Sequence, residues 1–149
     1  MRLAVRLGCV VLLLLGLGLA GCNDLEEVSS AADPAQIQPV AGTDTNEVIL
    51  TEQALKDLGI QTQPVRGVVS GATATVTAVI PMAAVVYDPR GESWTYTTPA
   101  ARTFIRARVV LDRVVDGTAY LRSGPRVGTS VVTVGAPELL GAEYGVGGE

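Results

Sequence analysis

The residues able to do chemistry in this chain are few. Histidine is absent, and the cysteines are Cys9 and Cys22. The common general base, nucleophile and soft-metal ligands are therefore missing from most of the sequence. Lys56 is the single lysine. It falls on the solvent face expected of a short helix, which leaves a Ser–Lys pair without support. Asp88, Asp112 and Asp116 lie at turns, where aspartate usually serves the backbone rather than a substrate. The turn Gly124–Gly128 lacks the strand–loop–helix setting of a phosphate loop. Met82 is the one methionine after Met1, so a methionine relay for soft metals has no basis. The inventory predicts a protein that is not an enzyme and holds no metal or dissociable cofactor.

Two features remain. Cys22 closes the run Leu19-Ala20-Gly21-Cys22 at the end of an apolar segment. Arg102, Arg106, Arg108 and Arg113 gather around one predicted strand. They read either as a solvated face that keeps a strand from aggregating, or as a basic stripe that meets lipid headgroups or an acidic transporter surface. The second reading makes them candidate partner-binding residues.

The elements that must place these residues begin with export. Arg2 and Arg6 precede an apolar core, Leu7–Leu19, that is too short to remain comfortably as a spanning helix. Residues 1–21 are expected to be a signal peptide. The order Leu, Ala, Gly, Cys resembles the lipobox of bacterial lipoproteins. That resemblance implies cleavage before Cys22, a diacylglyceryl thioether on its sulfur, and a domain held at the extracytoplasmic face of the cell membrane. Two or three acyl chains anchor firmly where one does not. Residues 22–46 are rich in Ser, Ala, Pro, Asp and Thr without a sustained period, and are expected to be a flexible tether.

The formal net charge is −4, from 11 basic and 15 acidic side chains. Removing Arg2 and Arg6 from the 11 leaves 9 and a net −6. Nucleic acid is excluded as a partner on that balance. Val, Thr and Gly dominate the second half, which favours strands and turns. The expected fold is mainly β: a small antiparallel sheet or barrel-like domain over residues 47–141 with one short helix, then a frayed tail over 142–149. Thr51 is read as the helix N-cap, Glu52 as its acidic first turn and Gly59 as its stop. Ile60–Val65 is read as extended, with Pro64 making it an edge or a strand end. Ala83–Tyr87 is read as a central strand, Asp88–Gly91 as a tight turn and Asp116-Gly117 as a hairpin turn. Thr103–Leu111 is read as one strand, with Ile105, Ala107, Val109 and Leu111 inward and Arg106 and Arg108 outward. Trp94, Tyr96 and Phe104 are expected in the core.

Leu50, Thr51, Gln53, Leu58, Gly59, Ile60, Thr62 and Val65 resemble the segment that opens periplasmic adaptor subunits of tripartite efflux systems, also called membrane fusion proteins. Further on, Ile80, Pro81, Ala84, Val85, Phe104, Arg106, Val109, Gly117, Gly124, Gly128, Val131, Val132, Gly135, Ala136 and Leu139 follow the order of the membrane-proximal C-terminal part of the same HlyD-like family. Full adaptors place a strand barrel, a lipoyl-like domain and a coiled-coil hairpin between these segments. Here no such insertion separates Arg66 from Thr77, and no heptad run occurs. The resemblance implies a truncated adaptor-like lipoprotein that binds an inner-membrane transporter of the resistance-nodulation-division or ABC kind, with oligomerisation left open. The alternative is an envelope β domain that binds a small ligand or cell-wall polymer.

Overall fold

The computed structural model describes residues 33–70 and 74–145. The expected signal peptide, Cys22 and the start of the expected tether lie outside them. Within them the chain is mainly antiparallel β, as its composition demands, with short helices.

The first strand, β1 (Ala35–Pro39), lies inside the segment expected to be tether. It pairs antiparallel with β2 (Asn46–Leu50), Ala35 opposite Leu50 and Pro39 opposite Asn46. The Thr43 hydroxyl donates to the Val40 carbonyl at 3.0 Å in the connecting turn. The expectation of a tether through residue 46 is thus corrected for Asp33–Asn46. Composition reports how much apolar surface a segment can bury, whereas β1 is held by ladder hydrogen bonds to an edge that would otherwise be open.

Thr51 caps α1 (Glu52–Asp57) as expected, its Oγ1 accepting from the Ala54 amide at 3.1 Å. Ala54 turns inward, and Glu52 and Lys56 pair across one turn at 2.7 Å. Gly59 takes φ +58 and ends the helix. Next come β3 (Gln61–Pro64), β4 (Arg66–Ser70) and β5 (Thr75–Pro81). A single 3-10 turn, Met82–Ala84, and the two-residue β6 (Val86–Tyr87) replace the expected central strand at Ala83–Tyr87. A short apolar run shows that residues are buried, not in which conformation.

The remaining elements are β7 (Ser93–Ala100), β8 (Thr103–Arg108), β9 (Val110–Val115), β10 (Thr118–Ser123), β11 (Ser130–Val134) and α2 (Ala136–Glu143). Two sheets result. One runs β1-β2-β8-β7-β11-β3, with β6 also on β7; the other runs β4-β5-β10-β9. At two of its four passages between sheets the chain crosses on a single buried valine. Val65 separates β3 from β4, and Val109 separates β8 from β9. Both keep their backbone groups satisfied as they cross. The Val65 amide donates to Thr129 O at 2.8 Å, and the Val109 amide to Ser93 O at 3.0 Å.

Thr103–Leu111 is therefore two strands in different sheets: Val109 and Leu111 face the core and Arg108 faces solvent as expected, but within β8 the inward face is the opposite of the expected one. Phe104 and Arg106 are buried, while Ile105 and Ala107 are only half-buried. The expected frayed tail is also corrected for Ala142–Gly145, since α2 continues to Glu143 and buries that residue. Gly135, at φ +86, starts this helix with Ile60 Cδ1 packed where a Cβ would stand. Val48, Tyr96, Phe104, Val132 and Leu139 build the core beneath the larger sheet and its helices. Val65, Ile80, Val109, Leu121 and Val131 build a second core, which includes both crossing residues.

Candidate functional site

The four arginines singled out from the sequence do not form one face. Arg102 sits in the turn between β7 and β8 with φ +61. Arg108 is exposed and meets Glu92 at 2.7 Å. Arg113 lies on β9 in the other sheet, 2.9 Å from Asp112 and stacked 4.0 Å over the Tyr120 ring. Arg106 is buried. The expected basic stripe is dispersed because the run bends from one sheet into the other at Val109.

Arg106 instead anchors a closed polar cluster. Its Nε lies 3.0 Å from Glu143 Oε1 and 2.9 Å from Oε2. The Tyr96 hydroxyl donates to Glu143 Oε2 at 2.6 Å, and the Asn46 amide donates to Oε1 at 3.2 Å. The guanidinium stacks over Trp94 at 4.5 Å, and its Nη1 donates to the Tyr144 hydroxyl at 3.1 Å. Glu143 is drawn in from the last turn of α2, 37 residues from Arg106. Strands β2, β7 and β8 supply its three partners, so the carboxylate holds the C-terminal helix onto the larger sheet.

Burial and the hydrogen bond to Glu143 push the Tyr96 phenol well above its ordinary pKa of 10.0. With side-chain exposures of 6 % for Arg106 and 1 % for Glu143, no substrate reaches the cluster. Its chemistry is positional. Trp94 is half-buried beside it rather than fully in the core. The sequence reading placed Tyr96 and Phe104 correctly but missed Glu143. An acid in the last turn of a short helix carries no local sign of its partner.

Asp88 is structural, as its turn setting suggested. Its Oδ1 accepts from the Arg90 and Glu92 amides at 2.9 and 2.8 Å. Burial works to raise its pKa. The Glu92 amide, the Trp94 indole, the Arg90 amide and the Arg90 charge together outweigh burial and lower it.

The smaller sheet carries an open groove. Strands β5 and β10 are in register only at Pro81–Thr118, Ile80–Ala119 and Val79–Tyr120. Where they part, a groove of about 480 Å³ opens between Val76, Thr77 and Ala78 on one side and Leu121 and Gly124 on the other. The ion pair between Asp112 and Arg122, 3.1 Å long, also lines it. Arg122 and then Arg113 hold the Asp112 carboxyl below its usual range. Among the described residues no group of three or more His, Cys, Asp or Glu gathers to hold a metal. No described helix is long and apolar enough to cross a membrane.

Comparison with known protein families and with characterised proteins finds no match to this chain.

Proposed function

We infer that the chain is an envelope lipoprotein, lipid-anchored through Cys22. Its β domain would serve as a non-catalytic, truncated adaptor that binds an inner-membrane efflux transporter and supports transmembrane transport. One observation carries the reading. The two sequence segments that resemble the split membrane-proximal module of efflux adaptors fold onto each other. Strand β2 pairs with β8, and β3 pairs with β11. Residues on either side of the missing insertion thus complete one sheet. A chain shortened at that place can still fold as a unit and work beside the bilayer, not across the envelope.

The test uses the chain with its own leader in a Gram-negative host. Incorporation of an alkyne-tagged fatty acid that is lost in Cys22→Ala supports the anchor. Crosslinking in intact membranes should then recover a polytopic transporter of the resistance-nodulation-division or ABC kind. Lipidation without any transporter after efficient crosslinking overturns the adaptor role. No fatty acid on Cys22 overturns the anchor. The second reading, an envelope domain for a small ligand or polymer, is favoured only by the groove between β5 and β10. Saturable binding of a cell-wall fragment, lost in Ala78→Trp, would favour it.

A further inference from the structure

Strands β5 and β10 part as a wedge, and the phase of their pairing fixes what its walls offer. Pro81, opposite Thr118, has no amide to give, and the next residue, Met82, donates its amide to Gly117 O at 2.7 Å. Backbone groups alternate in direction along a strand. Counting back from Met82, Ile80, Ala78 and Val76 turn theirs toward β10, while Val79 and Thr77 turn theirs toward β4. Ile80 meets Ala119, and the pairing stops at Val79 and Tyr120. Val76 lies beyond that point. It stands opposite Val69 of β4, but its N–H and C=O are aimed the other way, into the groove of about 480 Å³. Among the described residues no strand pairs with Val76 on that side, and it keeps 59 % of its surface open.

The opposite wall is also main chain. A Cβ on Gly124 would stand 2.9 Å from Leu121 Cδ1 and 3.2 Å from Val109 Cγ1, so that position is kept bare and another backbone can approach it closely. Between the walls, Ala78 and Leu121 supply a small apolar floor. The charged residues that line the groove, Asp112 and Arg122, are paired at 3.1 Å, which favours an occupant without charge. None of the lining residues is aromatic, which disfavours a sugar ring, usually held on an aromatic face. The wedge is closed at Val79 and Tyr120, so it admits a single free segment and excludes the edge of a second folded sheet.

We propose that the groove between β5 and β10 takes an extended, uncharged segment of a partner polypeptide as an added strand. The segment's main chain bonds to the N–H and C=O of Val76, which offer a donor and an acceptor in the spacing of a sheet ladder. Its small side chains rest on Ala78 and Leu121. The site is independent of the anchor at Cys22. It gives the proposed adaptor a means of holding an extended segment of its partner, and it rests on that reading only for where the partner is met.

The test uses the full lipidated chain in nanodiscs and reads amide hydrogen exchange by nuclear magnetic resonance. In the free protein the Val76 amide should exchange faster than that of Thr77, which faces β4. The probe is a short end-blocked peptide of alternating Val and Ser. It should slow exchange at Val76 about tenfold. N-methylation of its alternate amides, on Val or on Ser, should weaken binding about tenfold in at least one phase. Val76→Pro removes the amide that faces the groove and should weaken binding about as much. Ser123→Trp, on the opposite rim, should block the groove without touching β5, which keeps the test open should Val76→Pro disturb the hairpin.

A Val76 amide already slow in the free chain overturns the proposal, because the groove is then closed. So do an unchanged Val76 amide with peptide in excess, equal binding of the N-methylated and unmodified peptides, and binding that persists in Ser123→Trp. If chitotetraose slows Val76 and the peptide does not, the groove belongs to a polymer instead. A chain that carries no lipid or captures no transporter, yet protects Val76 with peptide, refutes the anchor or the adaptor and leaves this site standing. A chain that captures a transporter while peptide leaves Val76 unprotected does the reverse.

Discussion

Replacing Arg106 by Ala should be among the most damaging single changes in this domain. Glu143 is 1 % exposed and would keep only the Tyr96 hydroxyl and the Asn46 amide as donors. Removing one partner of a buried ion pair costs about 3–5 kcal/mol, because the remaining charge is stranded. The stacking of Arg106 over Trp94 contributes about 0.5–1 kcal/mol more. With a urea m-value of about 1–3 kcal/mol/M, the midpoint should fall by roughly 2 M. Trp94 is the only tryptophan and touches the guanidinium, so its fluorescence follows the site while circular dichroism follows the whole sheet. The double replacement Arg106→Leu with Glu143→Leu should be milder, at about 1–3 kcal/mol. An apolar pair substitutes for the ions with little net cost, and the Tyr96 hydroxyl left without its acceptor accounts for the loss. If Arg106→Ala costs under about 1 kcal/mol, or if the double variant loses the sum of the two single ones, then the cluster does not hold α2 as described. The first outcome would mean that Glu143 finds water, and the second that the two residues act independently.

Tyr96 makes stability depend on alkaline pH. Its folded pKa is raised above the unfolded value of 10.0, so the unfolded chain releases the proton first. Its contribution is complete below pH 10, then falls by about 1.4 kcal/mol per pH unit above it. Thermal melts of wild type and Tyr96→Phe between pH 9 and pH 11, read as a difference, check this; parallel curves would contradict it. Gly135→Ala should destabilise by about 1 kcal/mol or more from the positive φ alone, with further loss from the crowded Ile60 side chain. Urea unfolding measures it, and a neutral result would mean that the start of α2 can shift. Arg102 holds φ +61 in an exposed turn, so Arg102→Gly should raise stability by about 0.4–1 kcal/mol. A lower melting temperature would show that the arginine makes a contact outweighing its backbone strain.

Local features were legible in the sequence because their causes are local. Thr51 caps the helix that it precedes, Gly59 ends that helix, and Asp116-Gly117 turns a hairpin with φ +46 and +72. Pro64 marks an edge strand because it has no amide to donate. Three misreadings share one cause, which is pairing across distance. The Ala35–Pro39 stretch looks like linker until β2 offers it an edge. Ala83–Tyr87 buries only Ala84 and Val86, in a 3-10 turn followed by two strand residues. The alternation over Thr103–Leu111 points both arginines outward, which holds for Arg108 but not for Arg106, because a buried arginine is costly unless paired and its partner is far away in sequence.

The sequence by itself determined the class of the fold, several of the turns, the cap and stop of α1 and the poverty of catalytic groups. Each of these follows from residue chemistry within a few positions. It also carried the motif order on which the proposed function rests. Only the tertiary structure decided which face of each strand is inside, where one run of residues divides between two sheets, and which charges are neutralised. Arg106 and Glu143 show why. The desolvation cost of each ion is offset only by the other, and only folding places a carboxylate from the last helix against a guanidinium from the middle of the sheet.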